Sequence, residues 1–182
     1  MLMNGKPRSC NVRPSGDTAA SGDGQVGFRR ESGRGRFDWE FFSRLRSEWP
    51  RRLVLKGVMS PQDAKTAADA GADAVYVSNH GGRQLDSAPA AISVLPKVRE
   101  ALGPDFPLIF DSGVRSGEDI ARALASGADF VMVGRPVLYA LGAGGQLGFE
   151  TLLKFLTSEL STVMAQLGCR SIHELNHKVR VP

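Results

Sequence analysis

The feature that most limits how this chain can fold is a pattern that occurs twice. Ser60, Asp63, Ala67, Gly71, Ala72, Asp73, Val75 and Val77 recur fifty-six residues later as Ser116, Asp119, Ala123, Gly127, Ala128, Asp129, Val131 and Val133. Each copy has the same local logic. A serine stands where a helix needs an N-cap, small residues line one helical face, a glycine closes the helix, and an apolar run follows. A chain built from such units alternates helix and strand.

The rest of the chain extends the alternation. Apolar runs at 52–57, 73–79, 106–113 and 129–134 read as strands. Helical spacing is read over 60–71, 88–103, 116–127 and 151–168. Pro61 sits at a first helical position. Pro96 is expected to kink or delay the second of these helices. In the last, Leu152, Phe155, Leu156, Leu160, Val163, Met164 and Leu167 share one side. An earlier helix, with Trp39, Phe42, Leu45 and Trp49 near helical spacing, is capped by Asp38 and closed by Pro50. Strands that are apolar nearly throughout and joined by helices form a parallel sheet covered by helices. The expected class is therefore α/β. Repeated units favour a (β/α) barrel over a Rossmann sheet, and no GxGxxG follows the first strand.

Composition sets the remaining bounds. Residues 1–52 carry eleven Lys and Arg against six Asp and Glu, while residues 53–182 carry twelve against thirteen. The basic character thus lies at the N-terminus. Residues 1–36 are rich in Gly, Ser and Arg with little to bury, so a disordered basic leader is expected there, with the folded domain over 37–182. No basic patch interleaved with aromatics supports a nucleic-acid partner. The two cysteines, Cys10 and Cys169, form no CxxC or Cys/His cluster, so neither a disulfide framework nor a metal site is expected. No apolar run has signal-peptide or membrane-helix length. The expected location is cytoplasmic, with a peripheral inner-membrane position as the variant.

In parallel α/β folds the chemistry lies at the C-terminal ends of strands. Here the four ends carry Lys56-Gly57, then Ser78-Asn79-His80-Gly81-Gly82-Arg83, then Asp111-Ser112-Gly113-Val114-Arg115, then Gly134-Arg135. The last two look like an anion site. Each glycine precedes a helix start whose free N–H groups favour phosphate, and Arg115 and Arg135 add charge-assisted hydrogen bonds. In eight-stranded barrels the phosphate site often follows strands 7 and 8. These would then be strands 5 to 8, the second half of a (β/α)8 TIM barrel. The residues leave open another phosphate-binding barrel enzyme, such as an isomerase, and a half-barrel without catalysis.

The segments "LVLKG", "VSNHGGRQLD", "DSGVRSGEDIARALASGADFVMVGRP" and "LYALGAGGQLG" resemble the FMN-dependent α-hydroxy acid dehydrogenases and oxidases, over about residues 39–175. The resemblance implies FMN as cofactor and oxidation of a small L-2-hydroxy acid to the 2-oxo acid. It implies that Lys56 lies at the flavin N1/O2 edge, that Ser78 contacts the flavin and that Asp111 meets the ribityl chain. Ser112, Gly113, Val114, Arg115, Gly134 and Arg135 would complete the cofactor site. His80 would be the catalytic base and Arg83 the anchor of the substrate carboxylate. The electron acceptor (oxygen, quinone or cytochrome) is left open. A four-stranded half-barrel leaves strand edges and apolar surface bare, so association between copies is also expected.

Overall fold

The computed structural model describes residues 37–175. The leader expected over 1–36 lies outside the described residues. The elements run α1 (Trp39–Glu48), β1 (Val54–Val58), α2 (Pro61–Asp69), β2 (Ala74–Val77), α3 (Ala91–Leu102), β3 (Leu108–Phe110), α4 (Gly117–Ala125), β4 (Phe130–Val131) and α5 (Arg135–Gln166). Short 3-10 turns occupy His80–Gly82 and Ile172–Glu174. The strands form one parallel sheet in the order β1-β2-β3-β4.

The repeated residues are repeated contacts. Ser60 caps α2 by accepting from the Asp63 amide, and Ser116 and Asp119 form a reciprocal capping box on α4. Asp73 Oδ2 accepts from the Leu53 amide at 2.8 Å, and Asp129 Oδ2 accepts from the Leu108 amide at 2.7 Å. Each aspartate thereby ties the start of one strand to the start of the next. Each is also held by an arginine from the helix preceding that pair's first strand: Arg46 of α1 reaches Asp73 and Arg99 of α3 reaches Asp129. Gly71 and Gly127 have positive φ, and a Cβ there would meet the stem of Arg46 or Arg99 at 3.2 Å and 2.8 Å. Glycine at these two places serves both backbone and arginine.

One face of the sheet is covered. Val75, Val77, Leu108 and Phe110 pack against Ala64, Ala67, Leu95 and Val98 of α2 and α3, with Phe42 from α1. A second cluster joins Ala121 and Leu124 of α4 to Leu160, Val163 and Met164 of α5 and to Cys169 and Leu175. The opposite face is bare. Val54, Phe130 and Met132 are 41%, 59% and 43% exposed, and this face also carries Lys56, Tyr76 and Asp111.

Three expectations need correction. Pro96 does not delay α3, which starts at Ala91 and runs to Leu102 with the proline inside it; the proline removes one amide donor, and packing of Leu95 and Val98 holds the helix. The helix expected over 151–168 is the latter part of α5, which begins at Arg135 and is interrupted at Gly144 (φ −152°) and Gly145 (φ 53°). A Cβ at Gly148 would lie 2.1 Å from the Ala140 carbonyl oxygen, so the glycines let the two parts of α5 come into backbone contact. Finally, the apolar stripe is only partly covered: Leu156 is buried, but Phe155 and Leu167 are exposed. In α1 likewise only Phe42 is buried.

Candidate functional site

The C-terminal ends of β1, β2 and β3 meet in one hydrogen-bonded cluster. Lys56 Nζ donates to Ser78 Oγ at 2.9 Å and to Asp111 Oδ2 at 3.1 Å. Period-two alternation along β2 puts Tyr76 and Ser78 on the same face, and Tyr76 Oη donates to Asp111 Oδ2 at 2.8 Å. Ser112 Oγ donates to Asp111 Oδ1 at 2.8 Å. Both carboxylate oxygens are thus engaged. Burial pushes the Asp111 carboxyl up, but hydrogen bonding from Ser78, Tyr76, Ser112 and Lys56 outweighs it and holds the group below the usual carboxylate range. Burial and the adjacent Asp111 carboxylate push the Tyr76 phenol well up, so it stays a hydrogen-bond donor.

His80 enters this cluster through backbone geometry. It has φ 57°, and Gly81 and Gly82 follow at 66° and 77°, so three successive residues are left-handed. Histidine is among the side chains that visit this region more often, yet a non-glycine residue there is strained by about 1 kcal/mol or more. Side-chain hydroxyls hold the turn. The His80 amide donates to Ser78 Oγ at 3.1 Å, and the Asn79 and Gly81 amides donate to Ser112 Oγ at 3.2 Å and 3.3 Å. The imidazole lies over Gly57, where an added Cβ would sit 2.9 Å from His80 Cε1. Gly57 (φ 91°) is also where the β1–β2 register skips a residue. The break in register at the end of β1 therefore makes the shelf on which the histidine rests. Strain of this kind concentrates at functional sites.

Behind the turn lies a cleft of about 460 Å³ lined by Asn79, Gly82, Ala91, Ser112, Arg122 and Arg135, among others. Arg135 reaches back from the end of β4, its Nη2 3.4 Å from where a Gly81 Cβ would stand. Gly113 and Val114 line the same cleft, and Val114 also packs into the core. Added Cβ atoms at Gly113 and Gly134 would meet nothing within 4 Å, so a ligand can approach the backbone closely at both. Arg83 and Arg115 are exposed. No hydrogen bond recorded among the described residues ties either guanidinium to the cluster.

The two helix starts differ, which corrects the reading of both as open anion sites. At α4, Asp119 Oδ2 accepts from the Arg115 and Ser116 amides, and Ser116 Oγ accepts from the Asp119 amide. That end is already satisfied by its own carboxylate. At α5, Gly134 is the N-cap and makes no side-chain cap bond. An anion is therefore better served by the α5 start with Arg135 than by α4. Sequence reasoning missed Tyr76, and it placed Gly57 and Asn79 at strand ends without giving either a role. The strand period could have exposed Tyr76, since it stands two residues before Ser78. Nothing local in the sequence announces the Gly57 shelf.

This is a parallel four-stranded α/β half-barrel whose reactive side chains gather on one rim, with a cleft of about 460 Å³ beside them. The chain belongs to the FMN-dependent dehydrogenase family, whose model matches residues 3–181. It is 48% identical over 128 residues to an L-lactate oxidase of Alicycliphilus denitrificans, covering 70% of this chain and 35% of the relative. It is 39% identical over 184 residues to an L-lactate dehydrogenase of Caulobacter vibrioides, covering 100% and 48%. Among solved structures, a lactate oxidase described for Pediococcus acidilactici superposes with a TM-score of 0.77 at 40% identity, over 83% of this chain and 43% of that one. A mandelate oxidase matches with a TM-score of 0.73 at 42% identity. The chain thus spans less than half the length of these relatives. The family resemblance and the partial-barrel fold expected from the sequence are both borne out.

Proposed function

We propose that this chain carries the flavin- and substrate-facing rim of an FMN-dependent oxidoreductase acting on a lactate-like L-2-hydroxy acid. The observation that carries the reading is the Lys56–Ser78–Asp111 cluster set directly beside the strained His80 turn. The residues present suit FMN. Lys56 offers a fixed positive charge for the ring's N1/O2 edge, Asp111 and Ser78 offer polar contacts, and Arg135, Gly134 and Gly113 offer a cation and open backbone for the phosphate. Arg115 adds a second cation. Bound FMN would supply the two-electron acceptor.

The chain's own residues would do the rest. Arg83 would pair with the substrate carboxylate, which its planar guanidinium suits. His80 would take a proton from the substrate hydroxyl, or from the α-carbon in the carbanion version. Imidazole is suited to that task near neutral pH, and Gly57 leaves room for it. Oxygen, a quinone or a cytochrome would reoxidise the flavin.

A second reading, of a half-barrel that binds without turnover, is favoured by the bare apolar face with Val54, Phe130 and Met132. Purified protein mixed with FMN distinguishes the two. Expected for the first reading is a yellow complex that a 2-hydroxy acid bleaches. His80→Ala should keep the colour and lose the bleaching. A yellow complex that no 2-hydroxy acid bleaches supports the second reading, and protein that takes up no FMN refutes the flavin site.

A further inference from the structure

We propose that Tyr76 is the positioning residue for the Lys56–Asp111 pair, an inference that rests on reading this rim as a flavin site. Tyr76 stands opposite Lys56 in the β1–β2 register, on the uncovered face of the sheet. The lysine ammonium lies 4.2 Å from the centre of the Tyr76 ring. Its other contacts are Ser78 Oγ and Asp111 Oδ2. A hydroxyl, a carboxylate and an aromatic face therefore surround it, and a side chain with four rotatable bonds is confined to one place.

The phenol acts on the partner as well. Tyr76 Oη and Lys56 Nζ donate to the same oxygen, Asp111 Oδ2, while Ser112 holds Oδ1. The carboxylate cannot swing to chelate the ammonium with both oxygens. A neutral donor on Oδ2 also disperses part of the negative charge facing Lys56, leaving more of the lysine's positive potential for a ligand on the open side. Phenylalanine at this place would keep the aromatic face and lose the donor. Leucine would lose both.

The test compares wild type, Tyr76→Phe and Tyr76→Leu, loaded with FMN. A hydrogen bond to a charged group corresponds to roughly tenfold in binding, so Tyr76→Phe should weaken FMN by about that factor. Loss of the ring face adds roughly a further two- to fivefold in Tyr76→Leu. The decisive readout is the flavin midpoint potential. It should become more negative in the order wild type, Phe, Leu, because a less fixed cation stabilises the reduced anionic ring less. A lower affinity with an unchanged potential in both variants would make Tyr76 merely structural and overturn the proposal. A flavin-free arm keeps this separate from the functional reading. Denaturation of Tyr76→Phe, Asp111→Ala and the double variant should show non-additivity of roughly tenfold in the unfolding equilibrium constant, and additivity overturns the contact. If wild-type protein takes up no FMN, the flavin reading fails, and this cycle alone decides whether Tyr76 holds Asp111.

Discussion

Replacing Gly117 by alanine sets two effects of opposite sign against each other. Gly117 is the first residue of α4 and is buried against α5. Its φ is ordinary for an L-residue, so alanine meets no backbone strain, and helix propensity alone would favour it by up to about 1 kcal/mol. Space decides otherwise. The new Cβ would lie 2.2 Å from the Leu160 backbone nitrogen and 2.6 Å from the Glu159 carbonyl carbon and Cβ. Contacts of this kind settle near about 3.5 Å or more, so α5 must retreat by over an ångström. The obstacle is backbone, which no rotamer change can clear. Overpacking costs about 1–3 kcal/mol, occasionally more. Retreat also stretches the 2.8 Å bond from the Gly117 amide to Glu159 Oε2. A net destabilisation of roughly 2–4 kcal/mol follows. Urea titration followed by far-UV circular dichroism measures it, with the slope checked for constancy. Gly142→Ala is the control. Gly142 lies in α5, has no positive φ, and an added Cβ meets nothing within 4 Å. It should be stabilised by about 0.5–1 kcal/mol. If both variants shift the midpoint in the same direction, the close approach of α4 and α5 is wrong.

Three further outcomes are expected. Arg99→Ala should destabilise by roughly 2–4 kcal/mol in the same titration, since a side chain 17% exposed gives hydrogen bonds to the carbonyls of Gly103, Pro104, Phe106 and Gly127 as well as to Asp129. Gly57→Ala should cost about 1–2 kcal/mol from the left-handed backbone alone and should move the His80 imidazole signal in a carbon–proton NMR spectrum; an unmoved signal contradicts the shelf. Because the Asp111 carboxyl is held low in the folded state, its contribution is present above the ordinary carboxylate range and is lost as pH falls through its folded value. Asp111→Asn should therefore flatten the acid limb of the stability–pH curve, measured as urea midpoints from pH 6 downward, and an unchanged limb would contradict the bonding at Asp111.

Much of the architecture was legible because the residues that make it act locally. Ser60 and Ser116 cap the next helix, Gly71 and Gly127 close it, and the apolar runs that follow are strands. The cluster of Lys56, Ser78, Asp111 and Ser112 was legible as a set of strand ends, since a parallel sheet brings those ends to one rim. What escaped depended on contacts distant in sequence. The stretch from Gly142 to Gly148 was assigned to no element, and the dihedral angles of Gly144 and Gly145 with the approach of Gly148 to Ala140 show it as a break within a helix. The start of α4 looked open because its own Asp119 was read as part of a repeat and not as an occupant of the amides. Pro96 was expected to delay its helix because the packing of its neighbours is invisible to local rules.

The paired aspartates have one more consequence. Asp73 fastens β1 to β2, and Asp129 fastens β3 to β4, both at the ends of the strands away from the reactive rim. Between β2 and β3 that end is joined by a backbone bond from the Val75 amide to the Pro107 carbonyl, with no carboxylate among the described residues bonded across it. The half-barrel is thus two stapled strand pairs laid side by side, each with its own arginine. Such a pair is a natural unit of inheritance. It could be duplicated, exchanged or lengthened as a block while Lys56, His80 and Asp111, on the far rim, changed independently of the residues that keep the pair closed.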